Sequence, residues 1–188
     1  YTKSDMTGDI HLFTQQLGSI CEKKGVKFNY KSLVKNILHS KDNIKIMFNL
    51  DNKLDNKPEI ETFNSIVICA GVNSKHLASF VHDRVNIYPV KGYSITVMLN
   101  DKQSQLYAPK VSLLDDGAKI VTSRLGKDRF RIAGTAEFND YNKDIRHDRI
   151  LPLVKWCNNL FPKVKTEHCI PWAGLRPMTP NMMPKIGE

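Results

Sequence analysis

Arg176 stands in "WAGLRPMTPNMMPKIGE" between Leu175 and Pro177, with Gly174 behind it and Pro180 and Pro184 ahead. A guanidinium offers two parallel N–H donors that match the two oxygens of a carboxylate, and a backbone stiffened by glycine and proline would hold that fork in place. The same residue could instead form an ion pair tying two segments together, and the residues leave both uses open. In "YPVKGYS", Lys91 or Tyr93 could point into a cleft and meet a substrate or cofactor. Equally, Gly92 would mark a strand bulge and Tyr93 would belong to the core.

Small residues end the run "VICAGVNS" (Val67 to Ser74). They permit close backbone approach, and a helix starting near Asn73 and Ser74 would direct N–H groups at an anion such as a pyrophosphate. A plain strand-to-helix turn that needs Gly71 explains the same residues, and their chemistry alone favours it. Asp9 and His11 read as a capped helix end rather than a site. No GxSxG, HExxH, P-loop or paired Cys/His occurs. Cys21, Cys69, Cys157 and Cys169 form no CxxC and no metal-ligand spacing with the six histidines, so they are expected to be reduced, buried thiols with no metal.

These residues need elements to hold them. Thr7 or Asp9 can cap a helix with apolar Ile10, Phe13, Leu17, Ile20 and Cys21 at helical spacing, closed by Gly25. "VKFNY", "SLVKNIL" and "NIKIMFNL" read as short strands. "DNKLDNKPE" reads as a surface hairpin tip, and "FNSIVICAG" as a strand buried on both faces, as parallel strands are. From Ile87 the pattern becomes antiparallel: "NIYPVKGYSITVML", "KVSLL", "AKIVTSRL" and "RFRIAGTAEF" are strand candidates parted by "DDG" and "GKD" turns. A second helix follows, capped by Asp144 and stopped by Pro162, with Pro152 demanding a late start or a kink. "HCIPWAGLRPMT" closes the chain as a strand that returns to the first piece.

The 188 residues carry 41% apolar and 25% charged side chains, which suits one globular domain or two small ones. No apolar run approaches the roughly 20 residues that span a bilayer, and no signal peptide opens the chain, which starts at Tyr1 as though its natural start lay upstream. The net charge of +9 comes from dispersed lysines, without a nucleic-acid-binding signature, so a solvated surface is expected and nucleic acid is not. A cytoplasmic location follows, with peripheral attachment to a membrane surface left open.

In this order and spacing, "SDMTGDIHLFTQQL", "GVKFNYKSLVKNI", "FNSIVICAGVNSKHL", "IYPVKGYSIT", "RFRIAGTAEF" and "WAGLRPMTPNMMPKIG" resemble the small subunit of FAD-dependent D-amino acid dehydrogenases. More broadly they resemble the family of D-amino acid oxidase, glycine oxidase and sarcosine oxidase. The resemblance runs over nearly the whole chain and is most specific in "YPVKGYS" and "GLRPMTP". It implies a flavoenzyme that oxidises D-amino acids to 2-oxo acids and ammonia, with FAD taking the hydride and a quinone at the inner membrane, or another acceptor, receiving the electrons. By position it implies that Arg176 grips the substrate carboxylate and that Tyr93 and Lys91 border the substrate cavity. Val34, Cys69, Ala70 and Gly71 fall where the family contacts FAD.

The chain departs from that family at one place: it contains no GxGxxG turn and no acidic residue following one, and it ends at "PKIGE". The resemblance therefore implies a fragment, inactive in isolation, that does not retain the FAD expected of the intact enzyme. The expected architecture is mixed α+β and α/β: an incomplete FAD-binding lobe (1–84 and 173–188) and an antiparallel-sheet substrate lobe with a flanking helix (85–172). The alternative is a non-enzymatic remnant or partner-binding module that keeps the substrate lobe.

Overall fold

The computed structural model describes residues 2, 4, 6–50 and 57–187. It divides into two units, one formed by the segment up to Ser19 with Pro89–Arg176, the other by Ile20–Tyr88 with the segment from Pro177 on. The fold is mixed, with two antiparallel sheets and few helices.

Helix α1 (Ile10–Lys23) begins where the carboxylate of Asp9 accepts the Leu12 N–H at 3.2 Å, the expected cap. Its apolar residues Ile10, Phe13 and Leu17 stay exposed, and no residue of the helix is buried. In the second unit, β1 (Ser32–His39), β2 (Ile44–Leu50) and β3 (Glu59–Phe63) form an antiparallel sheet in that order. Ile37, Ile44 and Phe48 are its buried residues. The expected hairpin tip falls largely on residues 51–56, outside the described residues. "VKFNY" forms no strand, and neither does the stretch 65–70, where Val67 is 83% exposed. A strand buried on both faces needs a hydrogen-bonded neighbour on each edge, and among the described residues none lies beside this one. A 3-10 turn (Gly71–Asn73) leads from it into the short helix α2 (Ser74–Phe80).

In the sheet unit, β4 (Tyr88–Met98) is followed by α3 (Lys102–Tyr107), β5 (Leu114–Asp115), β6 (Ile120–Leu125), β7 (Arg129–Phe138), α4 (His147–Leu160) and β8 (Cys169–Met178). Sheet order is β5-β6-β7-β4-β8. "KVSLL" thus yields a single strand residue, Leu114, whereas "RFRIAGTAEF" is β7 from end to end. Helix α4 starts at His147 rather than at an Asp144 cap. Asp144 is engaged otherwise: its carbonyl accepts from the Lys91 ammonium and its carboxylate from the Asn142 amide. Pro152 lies inside the helix.

Alternation on β4 sends Tyr93, Ile95 and Val97 to one face, where they meet Phe130 and Ile132 of β7 and Ile150, Leu153 and Cys157 of α4. Burying each large apolar side chain contributes roughly 1.5–3 kcal/mol, so this cluster under α4 is what holds the sheet flat against its helix. Pairing runs Tyr93↔Gly134 but Gly92↔Ala136, so Thr135 is a surplus residue with no partner across the ladder. Its φ of +54° lies in the left-handed region that β-branched residues avoid. The surplus residue switches the alternation of β7, so that Glu137 emerges on the face of Lys91 and Tyr93.

Candidate functional site

The face of the five-stranded sheet opposite α4 takes the even residues of β4. Ser94 pairs with Ala133 and Thr96 with Arg131, and the Arg131 Nε donates to Ser94 Oγ at 3.4 Å. Trp172 on β8 joins them, its ring 5.6 Å from the Arg131 guanidinium carbon. A Cβ on Gly174 would run into that ring, so the indole lies over its own strand.

Arg176 is two residues further along the same strand. The Met98 N–H donates to the His168 carbonyl at 3.3 Å at one end of the β4/β8 pair, and Gly92 meets Arg176 at the other, so the two strands run in opposite directions. The guanidinium is exposed, and among the described residues it has no hydrogen-bond or ion-pair partner. The other arginines of this unit are engaged. Arg129 pairs with Asp9 at 2.7 Å, Arg146 with Glu137 at 2.8 Å and with Asp148 at 2.7 Å, and Arg149 with Asp148 at 3.9 Å. Arg124 donates to the carbonyls of Gly126, Lys127 and Ala108. Of the two uses open to Arg176, the internal ion pair is not formed with any of the described residues.

Lys91 and Tyr93 face the other way and are buried, at 0% and 1% exposure. Tyr93 Oη donates to Glu137 Oε2 at 2.5 Å, and the Lys91 ammonium lies 3.1 Å from the same oxygen. Lys91 also donates to Asn142 Oδ1 and the Asp144 carbonyl, each at 3.1 Å. The Tyr93 hydrogen bond, with Lys91 and Arg146, outweighs burial and lowers the Glu137 carboxyl to about 2. Burial opposes the Lys91 charge, yet its bonds to Tyr93 and Glu137 prevail and raise its pKa. Burial foremost raises the Tyr93 phenol. The arrangement keeps Glu137 and Lys91 ionised and locks the strand that carries Gly92.

In the second unit, Val34 sits where the β1/β2 ladder shifts register between Val34 and Asn36. Gly71 has φ +58°, so the turn requires a glycine on conformational grounds. The Ala70 N–H donates to Ser74 Oγ at 3.0 Å, Cys69 is exposed, and open space surrounds the position a Gly71 Cβ would take. Small residues with room above them fit the close approach of an extended cofactor such as a dinucleotide. The cysteines are all free, as expected, but only Cys157 is buried: Cys69 is exposed, and Cys21 and Cys169 are half-buried. Burial, with the neighbouring Cys169, pushes the Cys157 thiol up to about 12. Among the described residues, no group of three His, Cys, Asp or Glu could hold a metal, and no helix is long and apolar enough to cross a membrane.

Sequence reasoning missed Glu137, Trp172 and Arg131. Glu137 was hidden by the surplus Thr135, which moves it off the face its position in the alternation would give. Trp172 and Arg131 lie on different strands, and only the pairing of the sheet brings them together.

The chain is 54% identical over 188 residues to D-amino acid dehydrogenase 3 of Mesorhizobium japonicum, covering 100% of this chain and 44% of that protein. It is 39% identical over 190 residues to the D-amino acid dehydrogenase of Dechloromonas aromatica, covering 100% of this chain and 44% of that one. The chain thus spans less than half the length of these relatives. Among solved structures, glycine oxidase from Bacillus cereus superposes with a TM-score of 0.73 at 20% identity, over 93% of this chain and 45% of that one, which shows a shared fold. The family described as DAO, FAD-dependent oxidoreductase, matches residues 1–188, and the chain belongs to it.

Proposed function

We propose that this chain supplies the substrate-binding sheet and part of the FAD-binding region of a D-amino acid dehydrogenase, which converts D-amino acids to 2-oxo acids and ammonia. The observation that carries the reading is Arg176, an exposed guanidinium on the sheet with no carboxylate of its own among the described residues. A substrate carboxylate would complete it through two parallel N–H···O contacts. The relatives named D-amino acid dehydrogenase support the substrate class.

FAD, when bound, supplies the two-electron acceptor, and the chain's own residues bind and orient. Arg176 fixes the carboxylate and hence the α-carbon. Lys91 and Tyr93 serve the cavity wall from behind, through the ion cluster that fixes their strand. Val34, Cys69, Ala70 and Gly71 are the residues here that would approach FAD. Electrons leave to a quinone or other acceptor, with peripheral attachment at the inner membrane.

Because the 188 residues contain no GxGxxG, we propose further that they do not retain FAD by themselves and are inactive in isolation. The full-length protein should reduce a dye with D-alanine when loaded with FAD, and absence of turnover there defeats the enzymatic reading. A flavin absorbance band on the purified 188-residue chain defeats the claim about retention.

A further inference from the structure

A Cβ placed on Gly92 would stand 2.6 Å from the Arg176 guanidinium carbon and 2.7 Å from each of Nη1 and Nη2. With the carbon nearest and the two nitrogens equidistant, that point lies over the flat face of the guanidinium. An approach within its plane, between the nitrogens, would make the nitrogens nearest instead. The side chain therefore rests flat on the Gly92 backbone, leaving its N–H edges free for a planar anion.

Gly92 is not required for conformation, since its φ lies outside the left-handed region, and the glycines with positive φ are Gly25, Gly71 and Gly126. What it contributes is the missing side chain. Its flanking residues are immobilised: Lys91 and Tyr93 are both bound to Glu137 on the other face. The seat is therefore a rigid stretch of backbone.

We infer that Gly92 is a positioning residue, the slot that sets the height and tilt of the Arg176 guanidinium for recognition of the substrate carboxylate. The inference rests on the reading of Arg176 given above. Ordinary contact between carbon atoms is about 3.5–4.0 Å, so a methyl group at Gly92 would push the guanidinium outward by about 1 Å. A displacement of that size spoils the parallel N–H···O contacts to a carboxylate, and losing hydrogen bonds to a charged group costs roughly 10- to 100-fold in affinity.

The test uses the full-length FAD-loaded protein with D-alanine and four forms: the parent, Gly92→Ala, Arg176→Ala and the double variant. Gly92→Ala should raise KM roughly 10- to 100-fold with kcat little changed, because carboxylate binding is common to ground and transition states. In the Arg176→Ala background the same change should alter KM by less than about 2-fold, a non-additivity that a merely structural glycine would not show. If Arg176→Ala raises KM and Gly92→Ala does not, the slot is refuted and the Arg176 reading stands. If neither raises it, the Arg176 reading itself falls, and the slot with it. Should Gly92→Ala not fold, thermal midpoints decide: the double variant must melt with Arg176→Ala, and a deficit that persists without the guanidinium overturns the inference.

Discussion

Tyr93 Oη donates to Glu137 Oε2 at 2.5 Å across the β4/β7 pair, on the oxygen that also faces the Lys91 ammonium. The carboxyl is held at about 2 against an ordinary 4.5, by the Tyr93 bond first and by Lys91 and Arg146 with it. A depressed carboxylate stabilises the folded state fully above its unfolded pKa, and that contribution is lost as pH falls from about 4.5 to about 2. Glu137→Gln should lower the thermal midpoint at neutral pH and flatten its decline across this acid window. Parallel acid limbs for parent and variant would contradict the assignment.

Thr135 occupies φ +54°. A left-handed residue with a Cβ costs roughly 1–2 kcal/mol, part of which a glycine gives back through its own unfolded-state entropy. Thr135→Gly should therefore stabilise by roughly 0.5–1 kcal/mol, read as a shift in the urea midpoint at constant m-value.

Leu153, on the face of α4 turned to the sheet, is fully buried and approaches the space above Gly134. Leu153→Ala removes a side chain from the centre of the core cluster and should cost about 2–5 kcal/mol. A loss below about 1 kcal/mol would mean that α4 does not pack on the sheet as described.

Arg176→Lys keeps the charge and discards the planar fork. KM for D-alanine in the full-length protein should rise at least 10-fold, about 1.4 kcal/mol, with kcat much less affected. Unchanged kinetics would remove Arg176 from substrate binding.

Strong periodicity was readable in the sequence, and pairing was not. "RFRIAGTAEF" and "SLVKNIL" become strands because their branched and aromatic residues suit a pleated surface, and α4 follows its apolar spacing. Helix α3 escaped because six residues hold too little periodicity, although Asp101 accepting from the Ser104 N–H is a cap the sequence displays. "FNSIVICAG" misled because β propensity describes a segment while a strand is a relation between segments. For the site, the isolation of Arg176 among stiffening residues was legible. Its contact with Gly92, 84 positions earlier, depended on two strands meeting.

The surplus at Thr135 gives β7 a phase. Upstream of it, odd-numbered positions face away from α4; downstream they face toward it. Excising that one residue would therefore not merely trim a side chain but exchange inside for outside over the rest of the strand, stranding Lys91 without its counter-ion. Length changes upstream in β7 are thus to be tolerated in twos and rejected singly.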